Sequence, residues 1–112
     1  MSELTAEDQK LVTLARATKA RTGAAEGAAV RDSDGRTYAG ATVDLPSLQV
    51  SAIGVCIAMA VASGSKGLAA VVLLTEGDLA DVDASVIREF GGESVTVLVG
   101  DPRGTTLAPT RH

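Results

Sequence analysis

The sequence predicts an α/β fold in which a single mixed sheet of four to five strands has helices on both faces. Two short strands flank Asp34-Gly35, a dipeptide that indicates an antiparallel hairpin. An uninterrupted apolar run at residues 69–74 is typical of a central strand buried on both faces. A helix and another strand follow this run, and that order predicts a parallel, right-handed unit.

Length and composition predict one folded domain spanning residues 1–112. Hydrophobic residues make up 46% of the chain and charged residues 21%, which excludes a mostly disordered protein. The net charge is −4 and only 2% of residues are aromatic. Nucleic-acid binders usually have a basic surplus and stacking rings, so we expect no nucleic-acid partner.

The opening residues predict a cytoplasmic protein, and the pattern of apolar residues predicts no membrane span. Cys56 is the only cysteine, which excludes an internal disulfide and a multi-thiolate metal site. The opening MSELTAEDQK has no signal-peptide pattern. Residues 45–65 carry no charge, but their truly apolar part, residues 50–62, has the length of a buried helix.

The first third of the chain predicts a helix followed by the hairpin. Thr5, with Asp8 three residues later, matches a capping box for a helix over residues 6–21, and Gly23 is a suitable stop. The two hairpin strands are expected at residues 27–31 and 36–43, as antiparallel neighbours.

The second helix, expected over residues 50–63, is apolar on every side. Ile53 and Ile57 lie on one side, whereas Val55, Cys56 and Met59 lie on another. Such a helix has little surface for water, so it is covered either by its own domain or by an oligomer interface.

The last third supplies the remaining elements. A short helix is expected over residues 81–90 and stops at Gly91-Gly92. A strand at residues 95–99 follows it, with a candidate edge strand at 105–108 and a loose tail at 109–112.

Five segments, in the same order, resemble the cytidine deaminase family. In that family they read V-G-A-A-hydrophobic, D-G-x-x-Y-x-G, x-N-V-E, A-V-x-x-G and V-L-x-E-F. Here they are Glu26 to Val30, Asp34 to Gly40, Ala41 to Asp44, Ala60 to Gly64 and Val86 to Phe90. The resemblance implies a three-layer α/β/α sandwich, a homodimer or homotetramer, and a nucleoside ligand.

The family's chemistry depends on two motifs that this chain lacks. In the family, C-A-E or H-A-E supplies a zinc ligand and the proton-shuttling glutamate, and P-C-x-x-C supplies two more zinc ligands. The zinc-activated water then attacks the ring carbon of the substrate that carries the amine. Alignment from Gly64 puts Ser51-Ala52-Ile53 at the first motif, whereas alignment from Gly40 puts Ile53-Gly54-Val55 there. Neither frame contains a carboxylate. Leu79 to Asp83 stands at the second motif and contains no cysteine.

The family's substrate contacts are reduced in the same way. The ring-stacking phenylalanine corresponds to Ala24, and the ribose-binding Asn and Glu correspond to Thr42 and Asp44. Thr42 and Asp44 are therefore the only substrate-binding candidates, with a turn before Pro46 as the alternative interpretation. No catalytic residue and no metal ligand is expected.

Three further features have structural explanations. The four carboxylates Glu76, Asp78, Asp81 and Asp83 fit a solvated loop and helix N-terminus, with a hard-cation site as the alternative. Cys56 fits a small buried hydrophobe. His112, the only histidine, fits a frayed terminus.

The sequence thus predicts a cytidine deaminase-like protein that has lost its zinc site and acts as a binding, regulatory or scaffold oligomer. One alternative is an active deaminase, converting cytidine to uridine, with a rebuilt site. A second alternative is a small acidic interaction domain without a nucleoside ligand.

Overall fold

The computed structural model describes residues 4–109 and contains one five-stranded mixed sheet. The strands are β1 (Gly27–Asp32), β2 (Thr37–Ala41), β3 (Val43–Leu45), β4 (Leu48–Val50), β5 (Leu68–Leu74), β6 (Thr96–Gly100) and β7 (Leu107–Pro109). The helices are α1 (Ala6–Thr22), α2 (Ala52–Ala62) and α3 (Asp81–Gly91). The sheet order is β2-β1-β5-β6-β7. Only β5 and β6 are parallel, which confirms the predicted parallel unit and mixed sheet.

Helices cover both faces of the sheet because the central strands alternate their side chains between two cores. Ala28 and Val30 of β1 face a core that includes α2 and Ile87 of α3. Ala29 faces a second core with Leu11 of α1. Strand β5 divides its apolar run in the same way, so the predicted central strand is confirmed.

The helix boundaries follow their capping residues. The Thr5 hydroxyl accepts a hydrogen bond from the Asp8 N–H at 3.0 Å, and Gly23 ends α1 with φ of 68°. That left-handed conformation favours glycine. Gly92 caps α3, as the sequence predicts. In a full capping box the Asp8 carboxylate would reach back to the Thr5 N–H. Here it contacts the Arg31 guanidinium at 3.3 Å.

Two sequence expectations are wrong in the middle of the chain. The returning strand does not run through residue 43, because it stops at Ala41 and a separate hairpin, β3–β4, follows Thr42. Helix α2 therefore starts later, with Ser51 as its N-cap. Pro46 lies in the tight turn of this hairpin, where its fixed φ is favourable.

The all-round apolar helix is not covered on every side in the described structure. Its buried residues follow helical spacing and face the sheet; they are Ala52, Ile53, Cys56, Ile57 and Ala60. Met59 is 37% exposed and Val61 54% exposed on the opposite side. No helix within residues 4–109 is long and apolar enough to cross a membrane.

Candidate functional site

The candidate site lies at the sheet edge where β2, β5 and β6 end and β1 begins. The register pairs Gly27 with both Ala41 and Leu74. One step further along each strand, Glu26 therefore lies between Thr42 and Thr75. The carboxyl ends of parallel strands are a frequent place for ligand sites in α/β folds.

Hydrogen bonds hold these three side chains in place. The Glu26 N–H donates to the Thr42 Oγ1 at 3.0 Å, and the Thr42 N–H donates to the Glu26 carbonyl at 3.1 Å. On the other side, the Thr75 hydroxyl donates to the Glu26 Oε2 at 2.8 Å. The half-buried Glu26 carboxylate is thus fixed at the centre of the site.

Two shallow clefts meet at Glu26 and Thr42, and each has a volume of about 360 Å³. The first is also lined by Lys19, Thr75 and Glu76. The second also contains Asp44, Gln49 and Ser51 among its lining residues. The clefts thus offer carboxylates, hydroxyls and one ammonium group to a small polar ligand.

The two predicted substrate-binding residues line the same cleft, but only one side chain is fixed inside the fold. Thr42 is half-buried and uses its hydroxyl on Glu26. Asp44 is exposed, and its Oδ1 accepts from the Gln49 amide at 3.3 Å. Their nearness agrees with a binding edge, and their role stays a prediction.

The residues at this edge do not fit the zinc site that the family resemblance implies. Within residues 4–109, no three His, Cys, Asp or Glu side chains are grouped so that they could hold a metal ion. Zinc in proteins takes three or four such ligands.

Cys56 does not supply the missing ligand. Its side chain is fully buried in the core beneath α2. Burial raises the pKa of its thiol to about 12, so the thiol stays protonated near neutral pH. Zinc also needs further ligands beside a thiolate, and no His, Cys, Asp or Glu side chains of residues 4–109 are grouped with Cys56 to supply them.

The acidic cluster is only partly a solvated loop. Glu76, Asp78 and Asp81 are exposed, whereas Asp83 is buried in the first turn of α3, at the helix N-terminus that the sequence indicates for it. The Ser51 hydroxyl donates to the Asp83 Oδ1 at 2.7 Å. The cation alternative receives no support from the described residues. His112 lies outside the described residues.

Sequence reasoning missed Glu26, Thr75 and the Ser51–Asp83 contact. A signal for Glu26 was present, because a hairpin centred on Asp34 places residues 26 and 42 opposite each other. Thr75 was harder to predict from the sequence, since the register between β1 and β5 depends on the long connection between those strands.

Comparison with known proteins agrees with this architecture. The family described as cytidine deaminase-like matches residues 4–104. No curated protein sequence matches the chain at a significant level.

Solved structures of cytidine deaminases share the fold at low sequence identity. The enzyme from Burkholderia pseudomallei superposes with a TM-score of 0.79 at 22% identity, covering 96% of this chain and 93% of that one. The Mycobacterium leprae enzyme gives 0.74 at 21% identity, covering 94% of each chain. The Mycobacterium tuberculosis enzyme gives 0.73 at 22% identity, covering 96% and 91%. The chain belongs to the cytidine deaminase-like family.

Proposed function

We propose that this chain is a non-deaminating member of its family and acts by binding, as a regulatory or scaffold oligomer. The observation that carries the proposal is the chemistry of the side chains at the site. No cluster of metal-binding side chains occurs in residues 4–109, and the one thiol, that of Cys56, is buried in the core. Hydrolytic deamination in this family requires an activated water and a proton-shuttling carboxylate.

Glu26 does not replace the absent catalytic glutamate in this proposal. Its Oε2 accepts the Thr75 hydroxyl, and its backbone pairs with Thr42 at the sheet edge. A proton shuttle also needs an activated water to act on, and within residues 4–109 no cluster of metal-binding side chains is present to lower the pKa of a water molecule. The carboxylate is better suited to holding a ligand hydroxyl or amine.

The ligand class that fits the clefts is a small polar molecule such as a nucleoside. Thr42, Asp44 and Glu26 offer acceptors for sugar hydroxyls, and Lys19 offers a donor. Ala24 precedes this edge, so no ring-stacking side chain is supplied at the corresponding position. We therefore propose weak, hydroxyl-directed binding without base stacking.

The first experiment measures zinc per chain and uridine formation on protein purified without a histidine tag. We expect far less than one zinc per chain and no conversion of cytidine, because the donor set does not fit zinc. Stoichiometric zinc together with uridine formation would contradict the proposal and favour the rebuilt active site.

Nucleoside binding is tested on the same protein by the shift in Tm with cytidine and uridine. If the cleft binds nucleosides as proposed, added nucleoside raises the Tm of wild type, and Asp44→Ala loses that rise. Asp78→Ala is the matched control, because Asp78 is an exposed carboxylate that lines neither cleft. A wild type without any shift favours the interaction-domain alternative.

Self-association through the outer side of α2 is the second part of the proposal. Met59 and Val61 are exposed there, and Ala58 and Ala62 beside them are exposed as well. These side chains form one apolar helical face with no charged residue among them. Covering such a face with a second copy removes apolar surface from water.

Light scattering at micromolar concentration tests this association. We expect a homodimer or homotetramer for wild type and a shift towards monomer for Val61→Lys, which places a charge in the covered face. Val82→Lys is the matched control, because Val82 is 72% exposed on a different helix. A monomeric wild type, or equal effects of both substitutions, would contradict the proposal.

A further inference from the structure

The N-termini of α2 and α3 meet at a hydrogen bond between residues far apart in the chain. Ser51 is the N-cap of α2, and Asp83 lies in the first turn of α3. The Ser51 hydroxyl donates to the Asp83 Oδ1 at 2.7 Å. This distance is typical of a well-formed O–H···O hydrogen bond.

The Ser51 hydroxyl uses both its donor and its acceptor here, and the Asp83 carboxylate is buried beside it. The Ser51 Oγ accepts the Gly54 N–H at 2.9 Å while its proton goes to Asp83. Asp83 is 6% exposed, so its carboxylate has little access to water. A buried carboxylate is costly without such a partner, and the N-terminus of α3 adds a favourable dipole.

The positions of these residues are those at which zinc ligands are missing. When the first motif is aligned from Gly64, Ser51 stands at its ligand position. Asp83 stands at the last cysteine of the second motif, and Ala80 at the first cysteine. The contact between Ser51 and Asp83 favours this alignment over the one that starts from Gly40.

We propose that the Ser51–Asp83 hydrogen bond replaces a metal ion as the connection between α2 and α3 in this chain. A zinc ion joins elements by binding a ligand from each, and here a hydroxyl and a carboxylate join directly. The proposal rests on the proposed function in one respect, namely that wild type holds no zinc at this edge.

A double-mutant cycle tests the connection. Ser51→Ala, Asp83→Ala and the double variant are compared by chemical denaturation, which separates the contact from the helix cap that Ser51 also supplies. We expect a coupling of about tenfold or more in the unfolding equilibrium constant. Ser51→Thr should retain most of the stability. Asp81→Ala, at an exposed carboxylate in the same helical turn, should show no coupling with Ser51→Ala.

The outcomes distinguish this inference from the proposed function. Additive effects of Ser51→Ala and Asp83→Ala in a zinc-free protein would overturn the inference alone. Stoichiometric zinc in wild type would overturn both.

A variant designed to bind metal tests independently whether Ser51, Ala80 and Asp83 stand at the ligand positions of the family's two zinc motifs. Ser51→Cys, Ala80→Cys and Asp83→Cys together are expected to bind about one zinc per chain and to raise Tm when zinc is added. A triple variant that melts cooperatively but binds no zinc would overturn the placement.

Discussion

Replacing Gly27 by alanine is expected to destabilise the fold by about 3 kcal/mol, because α1 crosses β1 there without space for a side chain. A Cβ at this position would lie 2.4 Å from the Ala15 carbonyl oxygen and 2.7 Å from the Lys19 Cβ. The carbonyl belongs to helix backbone, so the whole helix must move. Chemical denaturation measures the effect, and Tm should fall by roughly 10 °C or more.

Gly67→Ala is the matched control for this prediction. Gly67 is also buried, but a Cβ there would meet nothing closer than 3.5 Å. We expect its free energy of unfolding to change by less than about 1 kcal/mol. Similar losses for both variants would show that tight helix–strand packing is not the cause.

The same crossing also positions the candidate site. Gly27 is adjacent to Glu26, and Lys19 of α1 lines the first cleft. A helix displaced by a new methyl group would carry Lys19 away from Glu26. Any ligand-induced gain in Tm should therefore be smaller in Gly27→Ala than in Gly67→Ala.

Asp32→Ala is expected to cost about 3 kcal/mol, because it removes a buried acceptor from several donors at once. The Asp32 Oδ1 accepts the Arg36 N–H at 2.8 Å and the Asp34 N–H at 3.0 Å. Its Oδ2 accepts the Ser65 hydroxyl. These bonds join the β1–β2 turn to the loop before β5. Thermal and chemical unfolding measure the loss.

The control for Asp32→Ala is Asp34→Ala. Both carboxylates lie in the same turn, but the Asp34 side chain is 58% exposed and pairs only with Arg36 among the described residues. We expect a change within about 0.5 kcal/mol for Asp34→Ala. Equal losses would indicate that general turn propensity, and not the buried network, stabilises this hairpin.

Asp32 also makes stability depend on pH in a defined direction. Burial alone raises the pKa of Asp32, but hydrogen bonds from Ser65, Arg36 and Asp34 outweigh it and hold the pKa below its ordinary value of 3.8. The unfolded chain therefore binds the proton first as pH falls. The contribution of Asp32 to the free energy of unfolding is complete above about pH 4 and is lost at lower pH. The difference in free energy of unfolding between wild type and Asp32→Asn should therefore shrink at low pH.

Elements with strong local signals could be predicted from the sequence. The cap at Thr5, the stop at Gly23 and the hairpin around Asp34 each depend on residues within a few positions of one another. The uninterrupted apolar run of β5 predicted a central strand for the same reason. The β3–β4 hairpin was missed, because its three-residue strands carry little apolar alternation and its leucines, Leu45 and Leu48, are exposed.

The candidate site was predictable only in part. Thr42 and Asp44 were named by resemblance and both line one cleft, while their role in binding stays a prediction. The carboxylate at its centre, Glu26, follows from the hairpin register, but Thr75 requires the pairing of β1 with β5. That pairing joins residues 49 positions apart, and no local pattern encodes it.

The sequence by itself determined which chemistry is available, because side chains that are not in the chain cannot act. With one cysteine, a terminal histidine and no carboxylate between Asp44 and Glu76, the family's two motifs are missing in every alignment. Only the tertiary structure decided how the remaining side chains are used. It buried Asp83 and joined it to Ser51 across 32 positions. Such contacts depend on where helices pack on the sheet, which is set by the cores and not by local sequence.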